Sequence, residues 1–176
     1  IAKDADPPGT VYWVLSGLEY AIEEGGDVIN MSFGGNTYST YFEYLLQVAY
    51  DEGIVCVTSA GNSGSSTVTY PGGYDRVVTV GATGGANSDI KDSMSNYGED
   101  IDLMAPGVNI VGARVNGSST NSYITASGTS AACPYVSGLA GLYICANNGN
   151  ELLSPENVIN CMKANALNID SQNPDF

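Results

Sequence analysis

The stretch Asp27-Val28-Ile29-Asn30-Met31-Ser32-Phe33-Gly34-Gly35, followed after one helical segment by Gly53-Ile54-Val55-Cys56-Val57, decides the fold. Val28 to Met31 and Ile54 to Val57 are short runs without polar alternation, the pattern of strands buried on both faces. Upstream, Val11, Val14, Leu15, Leu18 and Ile22 recur at helical spacing, which predicts an amphipathic helix over 11–22 ended by Gly25-Gly26. Between the two strands, Phe42, Leu45, Leu46 and Ala49 mark the inner face of a second helix. Thr40 and Glu43 stand at capping-box spacing at its start, and Gly53 closes it. Strands and helices that alternate in this way predict an α/β fold, a parallel sheet with helices on both faces. In such sheets sites gather beyond the carboxyl ends of the strands, where loops 32–35 and 60–64 fall.

Working outward, further strands are predicted at 77–82 and 101–104, an extended stretch at 108–115, and a polar surface loop from Asn116 to Ser122. From Thr129 to about Ala146 the chain is apolar nearly all round (Ala131, Ala132, Val136, Leu139, Ala140, Leu142, Ile144), which predicts a buried helix. Ser154-Pro155 opens a last helix, with proline at its first position. No internal repeat or compositional break divides the chain, so residues 1–176 read as a single domain long enough for a real core.

Apolar residues make up 43% of the 176 and charged residues 14%, the composition of a compact globular chain. Nineteen acidic and five basic side chains give a net charge of −14. That surface repels phosphate backbones and argues strongly against nucleic acid as a partner. It suits cations, basic substrates or plain solubility. No apolar run has the length of a membrane span, and the chain opens Ile1-Ala2-Lys3-Asp4 with no signal peptide, as a processed or truncated product would. Cys56, Cys133, Cys145 and Cys161 lack metal-ligand spacing. Cys56 reads as a buried thiol in its strand; Cys145 and Cys161 lie on successive helices, where a disulfide is one option and free thiols the other. Asn116-Gly117-Ser118 is a glycosylation sequon, meaningful only in a secreted protein.

Two segments carry chemistry. In Ser127-Gly128-Thr129-Ser130-Ala131-Ala132-Cys133-Pro134, Ser130 falls at the amino end of the apolar helix, where free N–H groups and the helix dipole favour a developing negative charge. Pro134 cannot donate to the Ser130 carbonyl, so the first turn is irregular. A serine there is placed to attack a carbonyl while its own N–H faces the oxyanion. Helix starts also favour serine and threonine as caps, so the tripeptide alone does not decide. In Ser59-Ala60-Gly61-Asn62-Ser63-Gly64, directly after a strand, the Asn62 amide is a second oxyanion donor or simply a turn residue.

Taken in order, Asp27 to Gly35, Ala60-Gly61-Asn62, Met104-Ala105-Pro106-Gly107 and Gly128-Thr129-Ser130 resemble the signature segments of the subtilisin (S8) peptidases, over about residues 1–165. The resemblance implies a three-layer fold with a central parallel sheet, of which this chain is the C-terminal portion. It would lack the N-terminal strands that carry the catalytic aspartate and histidine. It implies a serine endopeptidase that hydrolyses peptide bonds through an acyl-enzyme on Ser130, with Asn62 in the oxyanion hole. Ser32, Phe33, Gly34, Ala60 and Gly61 would line the substrate, and Thr69 the base of the P1 side-chain pocket, where relatives often have glycine. Tyr70-Pro71-Gly72-Gly73-Tyr74 resembles the family's pocket-and-cation loop. A structural Ca2+ or Na+ would then sit on the carbonyls of Gly72, Tyr74 and Val77 near Asp100 and Asp102, unless those carboxylates are simply solvated. No cofactor is required for the chemistry.

The chain also departs from the family. The triad runs aspartate, histidine, serine along the chain, yet no histidine occurs anywhere in the 176 residues. Tyr135 stands after Pro134 where many relatives carry a histidine, and Ala131 stands after the nucleophile where methionine is common. A companion N-terminal segment or chain is therefore expected to supply both missing groups, and this chain alone is expected to be inactive. The alternative is a non-catalytic binding or structural protein on the same fold. Expected partners are a polypeptide substrate and that companion, with no nucleic acid and no membrane. The expected location is secreted or extracellular, or else vacuolar or lysosomal.

Overall fold

The computed structural model describes residues 11–84, 88–116, 119–147 and 153–173. Helix α1 (Val11–Glu23) leads into β1 (Val28–Met31), α2 (Thr40–Asp51) leads into β2 (Val55–Ser59), and β3 (Val78–Thr83) and β4 (Leu103–Pro106) follow. These four strands form one parallel sheet in the order β1-β2-β3-β4. An antiparallel ribbon of β5 (Ile110–Asn116) and β6 (Ser119–Ala126) precedes α3 (Thr129–Ala146) and α4 (Pro155–Asn165).

Both faces of the sheet are covered, which is why β2 and β3 tolerate no alternation: every residue of each is buried. On one side α1 and α2 press Leu18, Phe42, Leu45, Leu46 and Ala49 onto Met31, Ile54 and Cys56. On the other, α3 and α4 press Ala132, Val136, Ala140, Val158 and Met162 onto Val55, Val57, Val78 and Val80. The helices thus form the outer layers of a three-layer α/β sandwich. Among the described residues no helix is long and apolar enough to cross a membrane.

Several expectations shift. The start of α2 is capped by Ser39, whose hydroxyl accepts from the Phe42 N–H, and not by Thr40. Glu43 instead accepts from the hydroxyl of Tyr38. Strands β3 and β4 run further than predicted, to Thr83 and Pro106. The loop expected over 116–122 is largely strand, because β6 begins at Ser119 and pairs back on β5 across a register shift between Arg114 and Asn116. Residues 117 and 118 of the sequon lie outside the described residues. Helix α3 is not buried all round. The sheet and α4 take one stripe, while Tyr135 is 50%, Leu139 49% and Leu142 71% exposed. All four cysteines are free thiols, so the disulfide option at Cys145 and Cys161 is not realised.

Candidate active site

The carboxyl ends of β1, β2 and β4 converge on the start of α3. Loop 32–35 leaves β1, loop 60–64 leaves β2, and Gly107 follows β4. The Gly107 carbonyl accepts from the Gly128 N–H at 2.8 Å, which seats the first turn of α3 directly over the sheet edge. A side chain at Gly107 would lie 2.5 Å from the Ala82 side chain and 2.9 Å from the Gly128 oxygen, so only glycine permits this approach.

Ser130 is the second residue of α3 and is exposed, between buried Thr129 and the apolar interior of the helix. Its N–H has no acceptor among the described residues, whereas the next two N–H groups, of Ala131 and Ala132, both reach the Gly128 carbonyl. A free N–H at a helix start is a ready anion donor. Asn62 comes to this same point. Its Oδ1 accepts from the Thr129 N–H at 2.7 Å and from the Thr129 hydroxyl at 2.9 Å. The amide is thereby fixed in orientation beside the residue that precedes Ser130, and its Nδ2 passes 3.3 Å from where a Gly128 side chain would be. No described group accepts from that Nδ2. Two sequence-distant donors, the Ser130 N–H and the Asn62 amide, are left without partners among the described residues around one spot, which can stabilise an oxyanion.

Thr129, which sequence reasoning passed over, makes this juxtaposition: its hydroxyl donates to Asn62 and accepts from the Gly61 N–H at 3.1 Å. Asn96 was also missed, and it grips the same loop from the other side. Only the Gly-Thr-Ser and Ala-Gly-Asn segments themselves signalled the contact.

Thr69 and Tyr70 link loop 32–35 to loop 60–64. Gly35 and Tyr70 exchange backbone bonds at 2.9 Å, and the Thr69 N–H donates to the Ala60 carbonyl at 2.9 Å. The Thr69 hydroxyl lies 2.3 Å from where a Gly34 side chain would start, and its atoms are 3.0–3.1 Å from the equivalent point on Gly61. Thr69 therefore fills the floor between segments 32–34 and 60–62. Ser32 accepts from the Asn30 amide at 2.9 Å, and Phe33 is 42% exposed. A groove of about 260 Å³ between α1 and β1 is lined by Trp13, Leu18, Ile29, Met31 and Phe33. A larger groove of about 730 Å³ lies between β4, α3 and α4; it includes neither Ser130 nor Asn62.

Two of the groups expected to hold a cation, the Gly72 carbonyl and Asp102, have other partners. The Gly72 carbonyl accepts from the Thr79 hydroxyl at 2.8 Å. Asp102 accepts from the Thr79 N–H at 2.8 Å on one oxygen and from the Lys163 ammonium at 2.8 Å on the other. Asp100 is exposed, Tyr74 and Val77 are buried, and among the described residues no three acidic, thiol or imidazole groups converge. An ammonium on Asp102 opposes a metal ion at that carboxylate.

Neither thiol of the sheet region offers a substitute nucleophile. Burial pushes Cys56 up to about 12 and raises Cys133, so both stay protonated at neutral pH.

Comparison with known proteins gives the family. The model of the Subtilase family matches residues 1–176. Subtilisin DY of Bacillus licheniformis is 39% identical over 165 residues, covering 92% of this chain and 57% of the relative. A subtilisin of Bacillus pumilus is 41% identical over 145 residues, covering 80% of this chain and 50% of the relative. Among solved structures, a cold adapted subtilisin-like serine proteinase superposes with a TM-score of 0.79 at 38% identity, covering 90% of this chain and 55% of that one. The prenylagaramide maturation protease PagA gives 0.80 at 29% identity, covering 93% and 61%. The chain spans about half the length of the curated relatives it matches.

Proposed function

The chain belongs to the Subtilase family and has its fold, and from that premise we propose that it is the nucleophile-bearing part of a serine endopeptidase. Ser130 attacks the scissile carbonyl of an extended polypeptide and forms an acyl-enzyme; water then releases the acid product. The Ser130 N–H and the Asn62 amide receive the oxyanion, and Ser32, Phe33, Gly34, Ala60 and Gly61 line the substrate. Thr69 closes the floor of the P1 pocket and, with Phe33, selects medium-sized apolar side chains. The observation that carries this reading is the fixed Asn62 amide beside the first turn of α3, next to a free Ser130 N–H.

The base and its orienting carboxylate come from a companion segment or chain outside these 176 residues, since they contain no histidine. In support, β1 has only β2 as a neighbour among the described residues, so its other edge is open to a further strand. The chemistry needs no cofactor. A Ca2+ or Na+ on Asp102 would have to displace Lys163, and we assign none. The kinship with bacillar subtilisins favours action outside the cell.

A second reading rests on the missing histidine: a module kept for binding or structure, without catalysis. The test is peptide hydrolysis by the assembled protein and by its Ser130→Ala variant. Hydrolysis abolished by the substitution, with folding intact, supports the peptidase. An assembled and folded protein with no hydrolysis leaves the second reading, and hydrolysis indifferent to Ser130→Ala contradicts both.

A further inference from the structure

Asn62 is gripped through Thr129 on one side only; what holds the rest of its loop is a second asparagine. Asn96 is 1% exposed, yet it lies in an irregular stretch between β3 and β4 where no strand or helix accounts for a buried amide. Its Nδ2 donates to the Ala60 carbonyl at 3.0 Å. Its Oδ1 accepts from the Ser63 N–H at 2.9 Å, the Ser63 hydroxyl at 3.0 Å and the Ser65 N–H at 3.1 Å. Its own N–H donates to the Gly61 carbonyl at 3.0 Å. The one residue of the 60–63 loop that Asn96 does not hold is Asn62.

The neighbours of Asn96 reinforce the grip. Gly64 donates to Met94 and Tyr97 to Ser65, each at 2.9 Å, so the backbone of 94–97 runs along 61–65 as a brace. The Ser95 hydroxyl accepts from the Ala82 N–H and donates to the Asn96 carbonyl, both at 2.9 Å, which ties the brace to β3. A side chain at Gly61 (φ +106°) would lie 2.4 Å from the Asn96 amide, so the loop has no room to move toward it.

We infer that Asn96 is a positioning residue for the oxyanion hole: it fixes the loop on both flanks of Asn62 so that the Asn62 amide meets the Thr129 end of α3. This role rests on the peptidase reading above. A planar amide serves because the loop offers a carbonyl before Asn62 and N–H groups after it, and only a side chain with both a donor and an acceptor satisfies both. An orphaned Ala60 carbonyl or Ser63 N–H in a buried place would pull the loop out of register. A displacement of about 1 Å at such a group costs on the order of 100-fold in rate.

The test uses the assembled peptidase and the rate at which a fluorophosphonate labels Ser130, the hydroxyl oxygen bonding to phosphorus as fluoride leaves, with peptide KM measured in parallel. Asn96→Ala is expected to slow labelling about 10–100-fold while KM stays within about threefold. In an Asn62→Ala background the same substitution should add less than about threefold, because its effect passes through Asn62. Asn96→Gln keeps both a donor for the Ala60 carbonyl and an acceptor for Ser63 and Ser65 and should recover part of the loss. It also decides the matter if Asn96→Ala does not fold. An unchanged rate in Asn96→Ala overturns the inference. So does a loss fully additive with that of Asn62→Ala, or an Asn96→Gln as slow as the alanine variant. An unaltered protein that takes no label at Ser130 refutes the peptidase reading itself, a result distinct from any of these.

Discussion

The Asn62 side-chain oxygen accepts two hydrogen bonds from Thr129, one from its N–H at 2.7 Å and one from its hydroxyl at 2.9 Å. Because that oxygen is fully engaged, the amide can present only its nitrogen to a reacting carbonyl. The loop after β2 and the helix after β6, separated by more than sixty residues of sequence, become one site through this contact.

Replacing Asn62 by leucine should slow acylation about 100–1,000-fold with KM little changed, the magnitude established for the oxyanion-hole asparagine of a subtilisin. Thr129→Val should fold but leave the Gly61 N–H and the Asn62 oxygen short of a partner. Its stability should fall by about 1–3 kcal/mol, and its acylation should slow. Burst kinetics and urea melts separate the two effects; a Thr129→Val protein of unaltered acylation rate would show that the hydroxyl does not orient Asn62.

Thr69 fills the space between Gly34 and Gly61. Thr69→Gly should therefore deepen the pocket and raise kcat/KM for large P1 residues relative to alanine by at least about tenfold. A matched series of peptides varied only at P1 reads this out. An unchanged ratio would mean that the P1 side chain lies elsewhere.

Lys163 and Asp102 share a 2.8 Å ion pair at the place where a cation was expected. The melting temperature of the protein should gain nothing from Ca2+ at this place. Lys163→Gln, which frees a carboxylate oxygen beside the Gly72 loop, should show a calcium-induced rise that the unaltered protein lacks. Equal calcium responses in the two proteins would contradict the assignment.

Cys56, buried in β2, is pushed up to about 12 by desolvation from an ordinary value of 9.0. The folded state therefore holds a proton that the unfolded chain releases. The resulting stability is fully present below about pH 9 and is lost as pH rises from there toward 12. The loss is roughly 1.4 kcal/mol per pH unit. Urea midpoints at pH 8, 9.5 and 11 should show Cys56→Ala falling less steeply than the unaltered protein; parallel curves would exclude the thiol as the cause.

Much of the fold was legible because burial on two faces leaves a plain signature. Val55 to Val57 is an inner strand as its pattern predicts, and Thr129 to Ala146 a helix; Val28 to Met31, read in the same way, is an edge strand among the described residues, with only Met31 buried. What the helix packs against was not legible. A stretch apolar all round says that it needs cover, and the exposure of Leu139 and Leu142 shows that the described elements supply it on one stripe only. Strand β6 escaped because its first residues, Ser119 to Ser122, are short and polar like those of a loop; pairing with β5, and not local preference, makes them extended. Ser130 and Asn62 were readable from their motifs. Asn96 was not, because a buried amide in an irregular segment carries no periodicity and shows itself only when the loop it binds is folded beside it.

The most direct test is the mass-spectrometric mapping of a fluorophosphonate adduct on the complete protein, assembled with whatever supplies its histidine. A nucleophilic Ser130 served by the Asn62 amide predicts a single modified residue, Ser130, with the adduct abolished by Ser130→Ala and formed far more slowly in Asn62→Leu. An adduct at another residue, or none on a folded and complete assembly, would contradict it.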